Sequence, residues 1–253
     1  MLKYQQLNKD YRMKKILLTK IRLSTYFWLF FVLYLGLSYA LPNYKFDAGA
    51  LTLFSVNSFL YGFYISPILG AQKARIDALH QSVRSEANAL FGMVLGFKKL
   101  PKDVHEDLQE LVVQYIRANL RKRRVNGGEK QYEDLITYCV DYEGEAKNQL
   151  DDTLKGLVAN QQNRTTFNML MGGKVYSNEW HIIAILFSIT LGFILVITAS
   201  DLLILHVVRA LLCTGLTMLI LNLVKLSTLT HKKANQMWEP LQKLLATNFY
   251  RID

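Results

Sequence analysis

Apolar residues are concentrated in two regions of the chain, and a long charged segment separates them. The first region covers residues 25–71 and is broken at 41–48, and the second covers 181–224 and is broken around 200–201. A helix needs about 20 mostly apolar residues to cross the hydrocarbon core of a bilayer. Each region contains two such stretches, so the pattern predicts four transmembrane helices in two hairpins.

The segment between the two hairpins has no apolar run long enough to cross a bilayer. Its apolar residues recur at helical spacing instead, with charged and polar residues on the other face of each helix. We expect span two to continue into this segment as one helix and to stop at Leu100-Pro101. A helix over 102–124 and two further helices should follow. The predicted fold class is therefore all-α, an integral membrane protein with a helical module inserted between two transmembrane hairpins.

The expected domain boundaries follow from this pattern. They are a basic N-terminal segment at 1–24, transmembrane hairpin 1 at 25–71, a cytosolic helical module at 72–178, transmembrane hairpin 2 at 179–224 and a cytosolic C-terminal segment at 225–253. Span two is expected to start after Asp47, which is a suitable N-cap residue.

The basic residues next to the predicted spans lie mainly on one side of them. Several Lys and Arg residues precede span one and others follow span four, whereas the loops inside the hairpins contain only Lys45, Asp47 and Asp201 as charged residues. Lys and Arg accumulate on the cytoplasmic side of short loops. We therefore expect a multi-pass protein of the inner (plasma) membrane with both termini and the module in the cytoplasm.

The formal net charge of +10 comes mainly from juxtamembrane residues and from the segment 117–124. Basic residues in these places are typical of attraction to anionic lipid rather than of nucleic-acid binding. Membrane lipids are therefore expected partners and nucleic acids are not.

The sequence contains no pattern that indicates catalysis. Its two cysteines, Cys139 and Cys213, have neither the number of a disulfide framework nor the spacing of metal ligands. A glycine-rich phosphate loop and a nucleophile elbow are also missing from the sequence. We expect no enzymatic activity, no catalytic residue, no metal site and no cofactor.

Span two is the most polar of the four spans. The candidate pore-lining residues are Asn57, Ser58, Tyr61, Tyr64 and Pro67. Hydroxyl and amide groups can replace part of the hydration shell of an ion in a pore. The same residue types also form hydrogen bonds between membrane helices, so both interpretations remain open.

Arg209 is the strongest single signal for function, because it falls inside the apolar stretch of span four. A lipid-facing arginine at that depth would cost a few kcal/mol or more. It could act as a charge that attracts anions to a pore or cavity, it could pair with Asp201 or Asp47, or its side chain could extend to the far membrane surface. His206 lies one helical turn earlier on the same face and is a candidate proton sensor or a contact between helices.

Glu86 lies at the edge of the apolar face of the long helix that follows span two. A buried carboxylate needs a partner, and Arg117 on the next helix is the expected one, with Arg121 as an alternative. We expect this pair to stabilise the fold.

The architecture of most of the chain resembles that of a bacterial membrane family that is described as bestrophin-like. The residues that carry the resemblance are Ala74-Arg75-Ile76-Asp77-Ala78-Leu79, Ser85-Glu86-Ala87-Asn88-Ala89-Leu90, Leu100-Pro101, Leu108, Leu111, Tyr115-Ile116 and Trp180. The segment after span four, Lys225-Leu226-Ser227-Thr228, differs from the Asp-rich segment often found in that family. The resemblance implies a homo-oligomer with a central ion pathway lined by span two.

The sequence therefore predicts a homo-oligomeric ion channel, a tetramer or pentamer that conducts inorganic ions. Arg209 and His206 would tune its outer half, while Lys73 and Arg75 would surround its inner mouth and favour anions. The alternative is a non-conducting membrane scaffold or sensor whose cytosolic helices bind a partner or anionic lipid. In that case the polar residues of span two should form hydrogen bonds between helices, and the charges of 117–124 should carry the function.

Overall fold

The structure is a computed structural model of the 253-residue chain, and it describes residues 21–122, 127–197, 203–231, 234 and 236–246. The helices that it describes are α1 (Leu23–Ala40), α2 (Ala48–Phe97), α3 (Lys102–Lys122), α4 (Glu129–Asp141), α5 (Lys147–Gly172), α6 (Ser177–Val196), α7 (Leu203–Ser227) and α8 (Glu239–Ala246). The described residues form no strand, and the predicted all-α class is confirmed. The basic segment 1–24 lies mostly outside the described residues, as does Asp201.

Four helical stretches are long and apolar enough to cross a membrane. They are α1, the first part of α2, α6 and α7. Between 11% and 28% of each apolar window is buried within the chain, which leaves most of the apolar surface free for contact with lipid. The prediction of four helices that are long and apolar enough to cross a membrane is therefore confirmed, which supports a membrane protein.

Helix α2 is a single helix of 50 residues, as the periodicity of the sequence predicts. Asp47 precedes it and accepts a hydrogen bond from the backbone N–H of Ala50 at 2.7 Å, so its predicted role as N-cap is confirmed. Pro67 lies inside the helix. The helix ends shortly before Leu100-Pro101, where proline disfavours a helical conformation for the residue before it.

The chain divides into two compact units. The first unit, which we call the apolar unit, comprises Met1–Ala74 and Lys174–Lys232, and the second, the polar unit, comprises Arg75–Gly173 and Lys233–Asp253. Helix α2 contributes residues to both units. The apolar unit extends through Lys232, and the chain from Lys233 onward belongs to the polar unit.

In the apolar unit, α1 packs along α7 more extensively than any other pair of helices. The two helices run antiparallel. The Nζ atom of Lys225 near the end of α7 donates to the carbonyl of Ile21 just before α1 at 3.1 Å. Further along, Tyr34 of α1 shares a hydrogen bond of 2.7 Å with Thr217 of α7. These polar contacts between apolar helices fix their register, because a hydroxyl in lipid has no water to bind.

In the polar unit, α3 packs on α4, α4 packs on α5, and α8 packs on α3. The buried residues of α5 recur every three or four positions and are Leu150, Thr153, Leu157, Asn160, Arg164 and Phe167. The stripe includes polar residues, whereas the apolar Val158 lies off it and is 62% exposed. The physical reason is that the polar members of the stripe form hydrogen bonds inside the unit, which lowers the cost of burying them.

Gly128, next to the start of α4, offers a direct test of packing in the polar unit. A Cβ atom at this position would lie 2.8 Å from the ring of Tyr115, which is 1% exposed and has no room to move. We expect Gly128→Ala to lower the free energy of unfolding by about 1–3 kcal/mol, as overpacking does. Thermal and denaturant unfolding of the purified full chain measure this change.

Gly92→Ala is the matched control. Gly92 lies inside α2, and its added Cβ would meet no heavy atom within 4 Å. Alanine favours the helix over glycine by up to about 1 kcal/mol, so this variant should be as stable as the wild type or more stable. Equal stabilities of the two variants would contradict the packing described for Gly128.

Candidate functional site: a buried arginine in the apolar unit

Arg209 on α7 is 4% exposed, although it lies among apolar residues of a membrane-spanning helix. Its Nη1 atom donates to Asn43 Oδ1 at 3.1 Å, to the carbonyl of Leu195 at 3.4 Å and to the carbonyl of Ser38 at 3.5 Å. Its Nη2 atom donates to the carbonyl of Ile197. The guanidinium group therefore joins three segments of the apolar unit.

The carbonyl groups that bind Arg209 belong to the ends of two helices. Helix α1 ends at Ala40 and helix α6 ends at Val196, and the last four carbonyls of a helix have no partner within it. The backbone N–H of Tyr44 donates to the carbonyl of Val196 at 2.8 Å, so it satisfies a further carbonyl at the end of α6. A cation at these ends also interacts favourably with the helix dipoles.

The described partners of Arg209 are all neutral oxygen atoms. No carboxylate among the described residues forms a salt bridge with it. Asp47, one of the two acids that the sequence offers as a partner, caps α2 instead, and Asp201 lies outside the described residues. The positive charge is therefore held by dipoles and is not neutralised by an acid in the described part of the chain.

His206 is a contact between helices. It is 6% exposed, and its Nδ1 atom shares a hydrogen bond of 3.2 Å with the hydroxyl of Ser38. The ring stacks on Tyr39 with centroids 4.2 Å apart. Both contacts are with α1, so His206 lies at a contact between helices, and its role as a proton sensor stays a prediction.

The polar face of span two binds other helices of the same chain. The side-chain amide of Asn57 donates to Thr190 Oγ1 at 2.8 Å and to the carbonyl of Leu186 at 3.2 Å, both on α6. The hydroxyl of Tyr61, which is 3% exposed, donates to the carbonyl of Leu216 on α7 at 3.4 Å. Both side chains therefore use their polar atoms within the chain.

The remaining candidate pore residues differ from one another. Tyr64 is half-buried and packs against the apolar cluster around Ile65, whereas Pro67 is exposed. The hydroxyl of Ser58 is buried and has no hydrogen-bond partner among the described residues. These residues do not form one continuous polar surface.

The two basic residues expected at an inner mouth also differ. Lys73 is exposed. Arg75 is 7% exposed, and its guanidinium group donates to the carbonyls of Leu170 and Met171 at 2.7 and 3.0 Å. These carbonyls lie in the last turn of α5, so Arg75 caps a helix and only Lys73 remains a surface charge.

Glu86 has a different partner from the one that the sequence suggests. The hydroxyl of Tyr115 on α3 donates to Glu86 Oε1, whereas Arg117 is exposed and forms no described salt bridge with Glu86. The reason lies in the helix geometry, because residues two apart on a helix point in different directions. Tyr115 lies on the buried face of α3 and Arg117 does not.

The positive charge that acts on Glu86 is that of Arg164. The sequence pattern did not single out this residue. Its guanidinium carbon lies 3.8 Å from the ring centroid of Tyr132, and its Nη2 atom pairs with Glu129 at 2.7 Å. The sequence did contain a signal that Arg164 is buried, because its helical spacing places it on the same stripe of α5 as Leu157 and Asn160.

The buried carboxyl of Glu86 has a perturbed acidity. Burial raises the pKa of Glu86 above its usual range, while the hydrogen bond from Tyr115 and the charge of Arg164 act in the opposite direction. Burial also raises the pKa of the Tyr115 hydroxyl well above its ordinary value. Tyr115 therefore remains a proton donor to Glu86 at neutral pH.

Among the described residues, no group of three or more His, Cys, Asp or Glu side chains is arranged to hold a metal ion. No protein-family model matches the chain, and searches among curated proteins and among solved structures find no match either. These comparisons do not identify the bestrophin-like family.

Substitution of Arg209 tests its role at the helix ends. We expect Arg209→Gln to lower the free energy of unfolding by about 1.5–3 kcal/mol, the range for hydrogen bonds to a charged group. The variant would leave carbonyls of α1 and α6 without a partner. Unfolding of the detergent-solubilised protein measures the effect, with Lys73→Gln as the control. Equal stability of Arg209→Gln and this control would contradict the role.

The raised pKa of Glu86 predicts a dependence of stability on pH. The folded state holds this proton more tightly than the unfolded chain, whose Glu pKa is about 4.3. The free energy of unfolding should therefore fall as the pH rises from that value through the raised pKa. In Glu86→Gln this part of the slope should vanish, whereas Glu133→Gln at an exposed position should retain it. Parallel slopes in all three proteins would exclude Glu86 as the source.

Proposed function

We propose that the chain is a homo-oligomeric, bestrophin-like ion channel that favours anions. Its four spans form two hairpins, and the polar unit is inserted between them on the cytoplasmic side of the inner membrane. Helix α2 of each protomer lines the ion pathway along the axis of the oligomer, which we expect to be a tetramer or pentamer. The exposure and packing of α2 support this proposal.

An exposed seam on α2 carries the proposal. Its members recur alternately every three and four residues and are Leu53, Val56, Leu60, Phe63, Pro67 and Gly70. They belong to a broader exposed face that also includes Thr52, Ser55, Phe59 and Gly62, and their spacing is the repeat of helices that pack around a common axis. Copies of α2 can therefore meet along the seam in a symmetric ring.

Only 11% of the apolar window of α2 is buried within the chain, the same share as for α1. Helices α1, α6 and α7 pack against one another, whereas none of the closely packed helix pairs includes α2. The side chains of Asn57 and Tyr61 form hydrogen bonds from α2 to α6 and α7. A span whose apolar surface is mostly exposed in its own protomer has surface left for neighbours from other protomers.

The seam makes the proposed pathway apolar rather than polar. Since Asn57 and Tyr61 are engaged within the chain, the residues that face the axis are Leu53, Val56, Leu60 and Phe63. A narrow apolar segment of this kind can close a pore by excluding water. Lys73, which is exposed just beyond the seam, would form a ring of positive charge at the cytoplasmic end and attract anions.

A second candidate function is a non-conducting scaffold or sensor. The hydrogen bonds of Asn57 and Tyr61 within the chain are what this alternative predicts. Arg117 and Arg121 are exposed on α3, and they would then bind anionic lipid or an acidic partner.

Recording in planar bilayers under a KCl gradient tests the channel. We expect currents that reverse near the chloride equilibrium potential, and Lys73→Gln should move the reversal potential toward that of potassium. Leu60→Ser should increase conductance, because a hydroxyl in the apolar segment makes it easier for water to enter. Ile185→Ser, at a 61% exposed position on α6, is the control and should conduct like the wild type.

The same experiment distinguishes the two candidates. Well-folded protein that stays silent, including the Leu60→Ser variant, would contradict the channel. In that case binding to phosphatidylglycerol vesicles that is lost in Arg117→Gln/Arg121→Gln would support the scaffold.

A further inference from the structure

An apolar cavity of about 480 Å³ lies between α2, α6 and α7 in the apolar unit. Its wall includes Phe54 and Phe193 as well as Val208 and Leu212. Val208 and Leu212 are 45% and 54% exposed, so the cavity opens at the outer surface of α7. Its volume falls within the range of about 300–1,000 Å³ that is typical of small-molecule sites.

Arg209 also lines this cavity, which gives an apolar wall one buried positive charge. An arginine side chain has five N–H donors. The described hydrogen bonds occupy Nη1 and use Nη2 once. The Nε–H and one hydrogen of Nη2 therefore have no acceptor among the described residues.

The cavity wall contains a second donor in the same situation. The hydroxyl of Ser58 is buried, lines the cavity and has no partner among the described residues. Unpaired polar groups in an apolar environment are costly. Two such groups in one apolar wall indicate a ligand that is apolar over most of its surface and has a small acceptor group.

We propose that this cavity binds a fatty acid, whose carboxylate accepts hydrogen bonds from Arg209 and whose acyl chain lies against the apolar wall. Charge complementarity supports this occupant, because arginine binds a carboxylate through two parallel N–H groups and the described residues provide no acid for it. The single chain suits a cavity of this volume, whereas a two-chain lipid would leave its second chain outside.

The position of Arg209 along α7 agrees with such a ligand. The helix begins at Leu203, and at 1.5 Å per residue Arg209 lies about 9 Å along it. The charge is therefore near one end of the span, where the carboxylate of a fatty acid in a bilayer also lies. This inference does not depend on conduction, and a non-conducting protein could bind the same ligand.

Equilibrium binding of radiolabelled palmitate to the full-length protein in phosphatidylcholine nanodiscs tests the proposal. We expect saturable binding. Methyl palmitate, which has the same chain without the charge, should compete about tenfold less well, as loss of a charge-assisted hydrogen bond implies. Equal competition by the two compounds would overturn the proposal, because the charge would then not be recognised.

Variants locate the site without removing Arg209, whose loss weakens the fold. Leu212→Trp should fill the open side of the cavity and abolish palmitate binding. Leu219→Trp is the matched control, because Leu219 is a 40% exposed position two turns further along α7 and outside the cavity wall, and it should bind like the wild type. Unchanged binding in Leu212→Trp would overturn the proposal.

Two further arms test the chemistry of the ligand. If the protein binds phosphatidylglycerol at this site but does not bind palmitate, the ligand is recognised through a lipid phosphate headgroup. That result would overturn the proposal of a fatty acid. Asp201→Asn should leave palmitate affinity unchanged. An affinity about tenfold higher in this variant would show that Asp201 already neutralises the charge of Arg209, and it would overturn the proposal too.

Discussion

The carbonyl groups at the ends of helices are the constraint on which this structure depends. Each helix leaves four of them without an internal partner, and in both units basic side chains bind them. Arg209 serves the ends of α1 and α6, and Arg75 serves the end of α5. The ammonium group of Lys147 donates to the carbonyls of Cys139 and Val140 at 3.3 and 2.7 Å, at the end of α4. These contacts fix where the helices end relative to their neighbours within each unit.

Two buried arginines show how the same side chain takes different roles. Arg164 pairs with Glu129 and lies near Glu86, so acids compensate its charge inside the polar unit. Arg209 has dipoles around it and no acid among the described residues. A compensated cation holds a core together, whereas a cation held only by dipoles retains an attraction for an external anion. The second arrangement is therefore the better candidate for function.

The sequence predicts the helices of this protein well because their signals are local. Length and hydropathy give the four spans, and helical spacing gives the continuous α2. The partners of buried charges are harder to predict. Tyr115 rather than Arg117 binds Glu86, because Tyr115 lies on the buried face of α3 and Arg117 does not. The helical spacing of the sequence contained this information. The carbonyl partners of Arg209 could not, because every residue carries a carbonyl and only the packed helices decide which ones converge.

The polar residues of span two show a limit of another kind. Asn57 and Tyr61 have the residue types of a pore lining, yet they bind α6 and α7. A pore and a helix contact satisfy the same polar atoms, so residue type alone does not distinguish them. Exposure is more informative, because it marks a face of α2, beginning at Leu53, that the other described residues leave uncovered. Phe54, the next residue, faces the apolar cavity instead. The two sides of α2 therefore meet different surroundings. A ligand in the cavity could affect the seam only if α2 adopts two positions and the ligand binds one of them more tightly than the other.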